Sequence, residues 1–177
     1  MKYMNISFAV ILAGLMITGC KKEKDVNEEE LITTLKVTLT AQGSAPEYFI
    51  WKDVDGPGGN APQVSEIVLA ANKTYSCQLE FLDESKTPEE DITAEVVAEA
   101  DDHEIYYEAS GVNVAVSNLN KDSKDLPLGT SSTWITTGAS NGTVKITLKH
   151  KPGIKAAGDP VTKGESDVEV TFATKVQ

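Results

Sequence analysis

Residues 53–60 carry the side chains whose spacing comes nearest to a metal site. Asp53 and Asp55 stand at i and i+2 and are followed by glycine, as at the start of many calcium-binding loops. The complete EF-hand pattern fails, because Pro57 and Val64 occupy the positions of an oxygen ligand and of the bidentate glutamate. An irregular calcium site that also uses Asn60 therefore competes with a glycine-rich turn, and we favour the turn.

Residues 80–108 form an acidic segment with twelve carboxylates and one lysine. Asp91, Glu95 and Glu99 form an i, i+4, i+8 row along a predicted helix. No lysine stands three or four residues away on that helix to balance their charge. Together with Asp102, the row is a candidate interaction face for a cationic partner or for weakly held divalent ions. The competing interpretation, which we favour from charge patterning alone, is a solvated face that keeps the protein soluble.

The remaining chemistry-bearing residues form no catalytic pattern. Histidine occurs only at His103 and His150, and neither has a second His or Cys at a ligand spacing in the sequence, so a zinc or copper site lacks its usual ligands. His103 could complete a loose metal site with a neighbouring acid (Asp101, Asp102 or Glu104), but we favour an exposed histidine at the end of the helix. Cys77 falls on the apolar face of a predicted strand, where a thiol acts as a small hydrophobe. The sequence also lacks the serine hydrolase, zinc protease and Walker motifs. We expect a protein that is not an enzyme, with no catalytic residues and no cofactor apart from the calcium considered above.

Strands must position these residues. Residues 31–40 alternate apolar and polar side chains, and residues 75–81 repeat that alternation. Further strands are predicted at residues 48–54, 64–70, 105–108, 112–117, 144–150 and 168–173. Asn141-Gly142 predicts a two-residue hairpin between a strand over residues 134–137 and the strand that starts at Val144. Short strands with turn signals, and no alternation with helices, favour an antiparallel immunoglobulin-like β-sandwich.

One acidic helix, at about residues 88–101, is expected to interrupt the strands. Thr87 suits the N-cap, Pro88 suits the first helical position, and Glu90 stands three residues after the cap. Ile92 and Val96, followed by an alanine four residues on, lay one narrow apolar face on the sandwich. The acidic row would then project away from it.

Composition restricts the classes of partner. The net charge of −11 disfavours nucleic acid, since both molecules are anionic. Every basic residue is lysine, and the chain has no arginine that could bind phosphate or carboxylate in a bidentate manner. If Cys20 is modified, Cys77 has no thiol partner for a disulfide, and the fold must rest on its core.

The N-terminus carries features of an exported protein. Lys2 precedes an apolar run over residues 8–17 that is too short to span a bilayer comfortably, and small residues follow it. Ile17-Thr18-Gly19-Cys20 resembles the bacterial lipobox, whose cysteine is diacylated and becomes N-terminal. The resemblance implies that residues 1–19 are a lipoprotein signal peptide and that Cys20 carries the lipid. Residues 20–30 are predicted to form a flexible polar tether, and residues 31–177 a single domain.

The chain as a whole resembles the small β-sandwich lipoproteins of Bacteroidota. The resemblance rests on the lipobox and on residues 51–56, 148–153 and 167–170. It implies a lipid-anchored, non-enzymatic binding or accessory protein of the outer membrane, with a TonB-dependent receptor or another envelope protein as partner. The alternative is a lipoprotein that binds carbohydrate through Trp51 and Trp134, or calcium through residues 53–60. Periplasmic and surface-facing display both stay open.

Overall fold

The computed structural model describes residues 31–56 and 58–177. The predicted signal peptide, Cys20 and the predicted tether therefore lie outside the described residues. The strands are β1 (Thr34–Ala41), β2 (Glu47–Lys52), β3 (Gln63–Val64), β4 (Ile67–Leu69), β5 (Thr74–Asp83), β6 (Glu90–Asp91), β7 (His103–Ser110), β8 (Val114–Ser117), β9 (Ser131–Thr136), β10 (Ser140–His150) and β11 (Glu165–Val176), and the helix is α1 (Ile92–Ala98).

These strands form two sheets, which we call the first and the second sheet. The first has the order β3-β2-β1-β5-β9-β8, with β6 paired to β5, and the second has the order β4-β11-β10-β7. Neighbouring strands run antiparallel except β4 and β11, which are parallel. The predicted mainly-β sandwich with one inserted helix is confirmed, with this parallel pair as a departure from a purely antiparallel arrangement.

The core lies between the two sheets and follows the period-two alternation of the strands. Leu35, Val37 and Leu39 of β1 are fully buried, as the sequence predicts, while the residues between them are partly exposed. Ile146 and Phe172 of the second sheet belong to the same buried cluster. Each such side chain contributes about 1.5–3 kcal/mol by leaving water.

The predicted strand over residues 64–70 is in fact two strands on different sheets. Val64 ends β3 in the first sheet, and Ile67 begins β4 in the second sheet. Between them, Ser65 accepts a hydrogen bond from the Ile50 amide through its hydroxyl and donates its own amide to the Ile50 carbonyl, at 3.0 and 2.8 Å. These two bonds hold the chain where it changes sheets.

The predicted hairpin at Asn141-Gly142 is wrong. Both residues lie inside β10, where they pair with β11, and β9 belongs to the other sheet. Gly142 is needed for a different reason, because a Cβ atom there would lie 2.1 Å from the carbonyl oxygen of Ser110. The glycine thus permits a close approach of two backbones rather than a tight turn.

The predicted start of the helix is also wrong. α1 begins at Ile92, and its N-cap is Asp91, whose carboxylate accepts a hydrogen bond from the Thr93 amide at 3.0 Å. Thr87 and Pro88 lie before the helix, since the residues in between form β6 and pair with β5. The backbone N–H and C=O groups of Glu90 and Asp91, which the capping pattern predicts in the first helical turn, therefore lie in a strand paired with β5.

Candidate functional site

The position of α1 is fixed by its apolar face. Ile92 and Val96 are buried against the core, as predicted. Between them, the Thr93 hydroxyl accepts a hydrogen bond from the Phe81 amide at 2.8 Å and donates to the Phe81 carbonyl at 3.2 Å, which ties the helix to β5. The helix therefore turns its opposite side to solvent.

Most carboxylates of residues 80–108 are paired with lysines, many of them distant in sequence. The seven paired acids are Glu80 with Lys36, Glu84 with Lys52, Asp83 and Glu90 with Lys86, Asp101 with Lys124, Glu104 with Lys151, and Glu108 with Lys145. Among the described residues, no lysine lies within ion-pair distance of the other five, which are Glu89, Asp91, Glu95, Glu99 and Asp102. The four residues of the predicted interaction face are all in this second group.

We call Asp91, Glu95, Glu99 and Asp102 the acidic face. Asp91, Glu95 and Glu99 are exposed, as predicted for a row that projects away from the sandwich. Asp102 is half-buried and accepts a hydrogen bond from the Gly153 amide at 3.0 Å. Among the described residues, the Asp91 carboxylate caps the helix, and the carboxylates of Glu95 and Glu99 make no hydrogen bond or ion pair.

A cleft of about 570 Å³ opens beside the C-terminal end of α1. Its lining includes Val97, Glu99, Asp101 and Asp102 after and within the helix, and Asn120, Asp122, Ser123 and Leu128 from a facing loop. Two members of the acidic face thus contribute to a concave surface. The carbonyl groups at a helix C-terminus add negative potential on the α1 side of the cleft, while Lys121 contributes a positive charge from the facing loop.

Two other acids of the cleft are already engaged. Asp101 accepts hydrogen bonds from the Ser123 hydroxyl at 2.8 and 2.9 Å, and these bonds hold the pKa of Asp101 below its usual value. Burial alone would raise the pKa of Asp122, but the hydrogen bond from Lys155 and those from two backbone amides outweigh it, so the net pKa is lowered. Among the residues described, Glu99 and Asp102 are the carboxylates of the cleft that have no lysine within ion-pair distance.

Two buried lysines near the cleft form what we call the lysine clamp. Lys151 is 0 % exposed, and its Nζ lies 2.6 Å from Glu104 Oε2 and 3.7 Å from Asp159 Oδ2. Lys155 is nearly as buried, with its Nζ 2.7 Å from Asp122 Oδ2. The clamp fastens the chain that follows β10 to β7 and to the loop of Asp122.

The calcium candidates of residues 53–60 are brought together only in part. Asp55 Oδ2 accepts hydrogen bonds from the backbone and the side-chain amide of Asn60 at 2.9 and 2.7 Å, and these lower the pKa of Asp55. A Cβ atom on Gly59 would lie 2.5 Å from the Asp55 carboxylate, so the glycine is required for this closure. Asp53 instead donates its amide to the Thr33 carbonyl at 2.8 Å. The arrangement is that of a turn closed by Asp55 and Asn60.

The two tryptophans do not form a shared platform for sugar. Trp134 is fully buried, with its Nε1 donating to the Ser132 hydroxyl at 3.1 Å and its ring edge-on to Tyr107. Trp51 is half-buried and packs against the same core. Cys77 is buried as well, and burial raises its pKa to about 12, so the thiol stays protonated at neutral pH.

The structure also brings together three residues that are not at metal-ligand spacing in the sequence: Glu99, His103 and His150. His103 begins β7, His150 ends β10, and the two are direct partners in the register of these strands. Their rings stack with centroids 4.7 Å apart and an angle of 12° between planes. Glu99 lies beside them, and one ligand atom from each of the three residues falls within 4.8 Å of the others. The two histidines are thus neighbours in space, which only the strand register could have shown, and His103 is buried in β7 rather than exposed at the end of the helix.

His103 is held in a buried and largely fixed position. It is 2 % exposed, its Nδ1 lies 3.1 Å from the Glu99 carbonyl oxygen, and its Nε2 lies 3.7 Å from Asp167 Oδ2. Burial lowers the pKa of His103, and it outweighs the opposing effect of the Glu99 carbonyl. The ring is neutral at neutral pH, with Nδ1–H as the donor to Glu99.

No protein-family model matches this chain, and comparisons with curated proteins and with solved structures likewise found no match. Within the described residues, no helix has the length and apolar character needed to cross a membrane. The kinship with lipoproteins of Bacteroidota stays a prediction from the sequence.

Proposed function

We propose that the protein is a lipid-anchored, non-enzymatic binding or accessory module of the bacterial outer membrane, and that it docks a cationic surface of another envelope protein on the acidic face. One observation carries the choice of surface. Seven of the twelve acids in residues 80–108 have a lysine, and the members of the acidic face do not, among the described residues.

The energetics of α1 support a role in binding. Glu95 and Glu99 stand at i, i+4 spacing and repel each other, at a cost of about 0.2–0.5 kcal/mol. A cationic partner removes this repulsion and gains electrostatic steering on approach. Val97 is 49 % exposed on the same helix and lines the cleft, so the surface offers an apolar contact beside its charges.

The anchor rests on the lipobox-like sequence at Cys20, outside the described residues. Cys20→Ala is expected to release the protein from membranes, because stable attachment needs two acyl chains or an equivalent second signal. Fractionation followed by a carbonate wash measures this. A variant that stays in the membrane fraction would contradict lipid attachment at Cys20. It would not bear on binding at the acidic face.

Capture from outer-membrane extracts tests the acidic face. The bait is the full chain carrying Glu95→Gln and Glu99→Gln, compared with the unmodified chain. The matched control carries Glu80→Gln and Glu108→Gln, which remove the same charge from the same segment at lysine-paired positions. We expect bands that disappear with the first pair of changes and at high salt, but survive in the control. Bands lost equally in both variants would show that only net charge matters.

Calcium binding by residues 53–60 is the second candidate. The observation that favours it is that Asp53 Oδ1 is buried without a hydrogen-bond partner among the described residues. Calcium is then expected to raise the melting temperature of the unmodified chain but not of Asp53→Asn. Equal melting curves with and without calcium would leave residues 53–60 as a turn.

A further inference from the structure

We propose that Glu99, His103 and His150 form a binding site for a divalent transition metal ion of the zinc class, where α1, β7 and β10 meet. This inference does not rest on the proposed docking function. It rests on the placement of the only two histidines of the chain, which come from positions 47 residues apart in sequence to adjacent positions in the second sheet.

The three possible ligand atoms lie close together, but they must draw closer to hold an ion. One ligand atom from each residue lies within 4.8 Å of the others. Ligand atoms around tetrahedral zinc lie roughly 3.3 Å apart, since each is about 2.0–2.1 Å from the ion. Directly opposed residues of neighbouring antiparallel strands hold their Cβ atoms at a nearly constant separation, so two of the three ligands are preset by the sheet.

The two imidazoles have different parts in the site. The bond from His103 Nδ1 to the Glu99 carbonyl leaves Nε2 as the nitrogen with a lone pair. A metal-binding histidine commonly donates its other N–H to a carbonyl in this way, which fixes its tautomer and orientation. His103 is thus the preorganised ligand, buried and held in place by this bond.

His150 and Glu99 supply the adjustment. The two stacked rings are almost parallel, so their in-plane lone pairs do not converge until one ring turns. His150 is half-buried and Glu99 is exposed, so both side chains have room to turn toward an ion held by His103. The carboxylates of Asp102 and Asp167 nearby add negative charge that favours a cation.

The donor set selects the class of metal. Two imidazole nitrogens and a carboxylate oxygen suit zinc, nickel or copper, whereas calcium and magnesium take sets made of oxygen. Zinc is therefore the probe ion, and calcium is the control ion.

The test uses the full chain without an affinity tag. Zinc is titrated while the two histidine side chains are followed by NMR, where the chain's two imidazoles give separate signals. We expect both imidazoles to shift together with zinc and neither to shift with calcium. Calorimetry on the same samples gives the affinity, and Cys20 is present in every variant, so differences between variants do not arise from it.

Three variants make the test specific. His150→Ala is expected to weaken zinc binding by about 100-fold or more, and Glu99→Gln by roughly 10-fold, in line with the loss of one ligand or its support. Glu95→Gln is the matched control, because it removes another exposed acid one turn earlier on α1. His103 is buried, so its replacement is avoided, and circular dichroism checks that His150→Ala is folded.

Several outcomes would overturn the proposal. One is zinc affinity that is unchanged in His150→Ala while the variant is folded. Others are a shift of only one imidazole, an equal loss in Glu95→Gln and Glu99→Gln, or no saturable binding of zinc by the unmodified chain.

Discussion

Glu99 and Asp102 of the acidic face line the same cleft as Asp122, which pairs with Lys155 of the lysine clamp, but the acids of the acidic face and the acids held by the clamp differ in exposure and in pairing. Glu95 and Glu99 of the acidic face are exposed and have no lysine within ion-pair distance among the described residues. Glu104 and Asp122 of the clamp are withdrawn from water, and a buried lysine lies within 2.6 or 2.7 Å of each. The difference shows that an acid's neighbours in space, rather than in sequence, decide whether it stabilises the fold or is available to a partner.

The two regions should therefore respond very differently to the loss of one charge. Removing one partner of a buried ion pair leaves the other charged and without compensation in a poorly solvated site, which commonly costs about 3–5 kcal/mol. An exposed acid keeps its hydration when a neighbour changes, so effects there stay within about 0.5 kcal/mol.

Lys151→Ala should have the largest effect on stability. The change strands Glu104 beside the core, and we expect the free energy of unfolding in urea to fall by about 3–5 kcal/mol. Lys163→Ala is the control, because Lys163 pairs with Asp159, as Lys151 does, but is 35 % exposed. Its loss should lower the free energy of unfolding by less than about 1 kcal/mol. Similar decreases in the free energy of unfolding of the two variants would show that burial does not set the contribution of these ion pairs.

Lys155→Ala should have a smaller effect that depends on pH. Asp122 keeps hydrogen bonds from two backbone amides, so we expect a loss of roughly 2–4 kcal/mol at pH 7. The lowered pKa of Asp122 means that its pairing stabilises the protein above the unfolded value near 3.8, and this contribution is lost as pH falls through the folded value. The gap between variant and unmodified protein should narrow below about pH 4. Urea unfolding at a series of pH values measures it, and a gap independent of pH would contradict the role given to Asp122.

Glu99→Gln should have the smallest effect, and of opposite sign. It removes one like-charge contact with Glu95 and one negative charge from the C-terminal end of α1, so stability should rise by about 0.2–0.5 kcal/mol in metal-free buffer. Thermal melting with a chelator present is the measurement. A clear loss of stability would mean that Glu99 has a structural partner and that the acidic face is not free for binding.

The sequence predicted the features that depend on neighbouring residues. The alternation in β1 and β5 is local, and so is the buried stripe of Ile92 and Val96 on α1. The start of α1 could not be predicted, because the residues just before it pair with β5 as strand β6 instead of forming the first helical turn. Asn141-Gly142 misled for the same reason, since a turn signal gave way to a long strand held by β7 and β11.

The candidate site was predictable only in part. The exposed row of Asp91, Glu95 and Glu99 follows from helical spacing alone. Which acids would be neutralised depends on lysines from distant strands and loops, and the meeting of His103 with His150 depends on the register of β7 against β10. No local spacing encodes that register.

The place of β11 in the second sheet has a consequence for the order of folding. β11 is the strand nearest the C-terminus among those described, yet it lies between β4 and β10 and pairs Thr174 with Ile67. On the ribosome, β1, β2 and β5 are complete early, whereas the second sheet cannot close before β11 has emerged. Until then β4 and β10 each present an unpaired edge, which is a template for strand addition by another chain. Nascent chains that stall before residue 165 should therefore be the form of this protein most prone to aggregate.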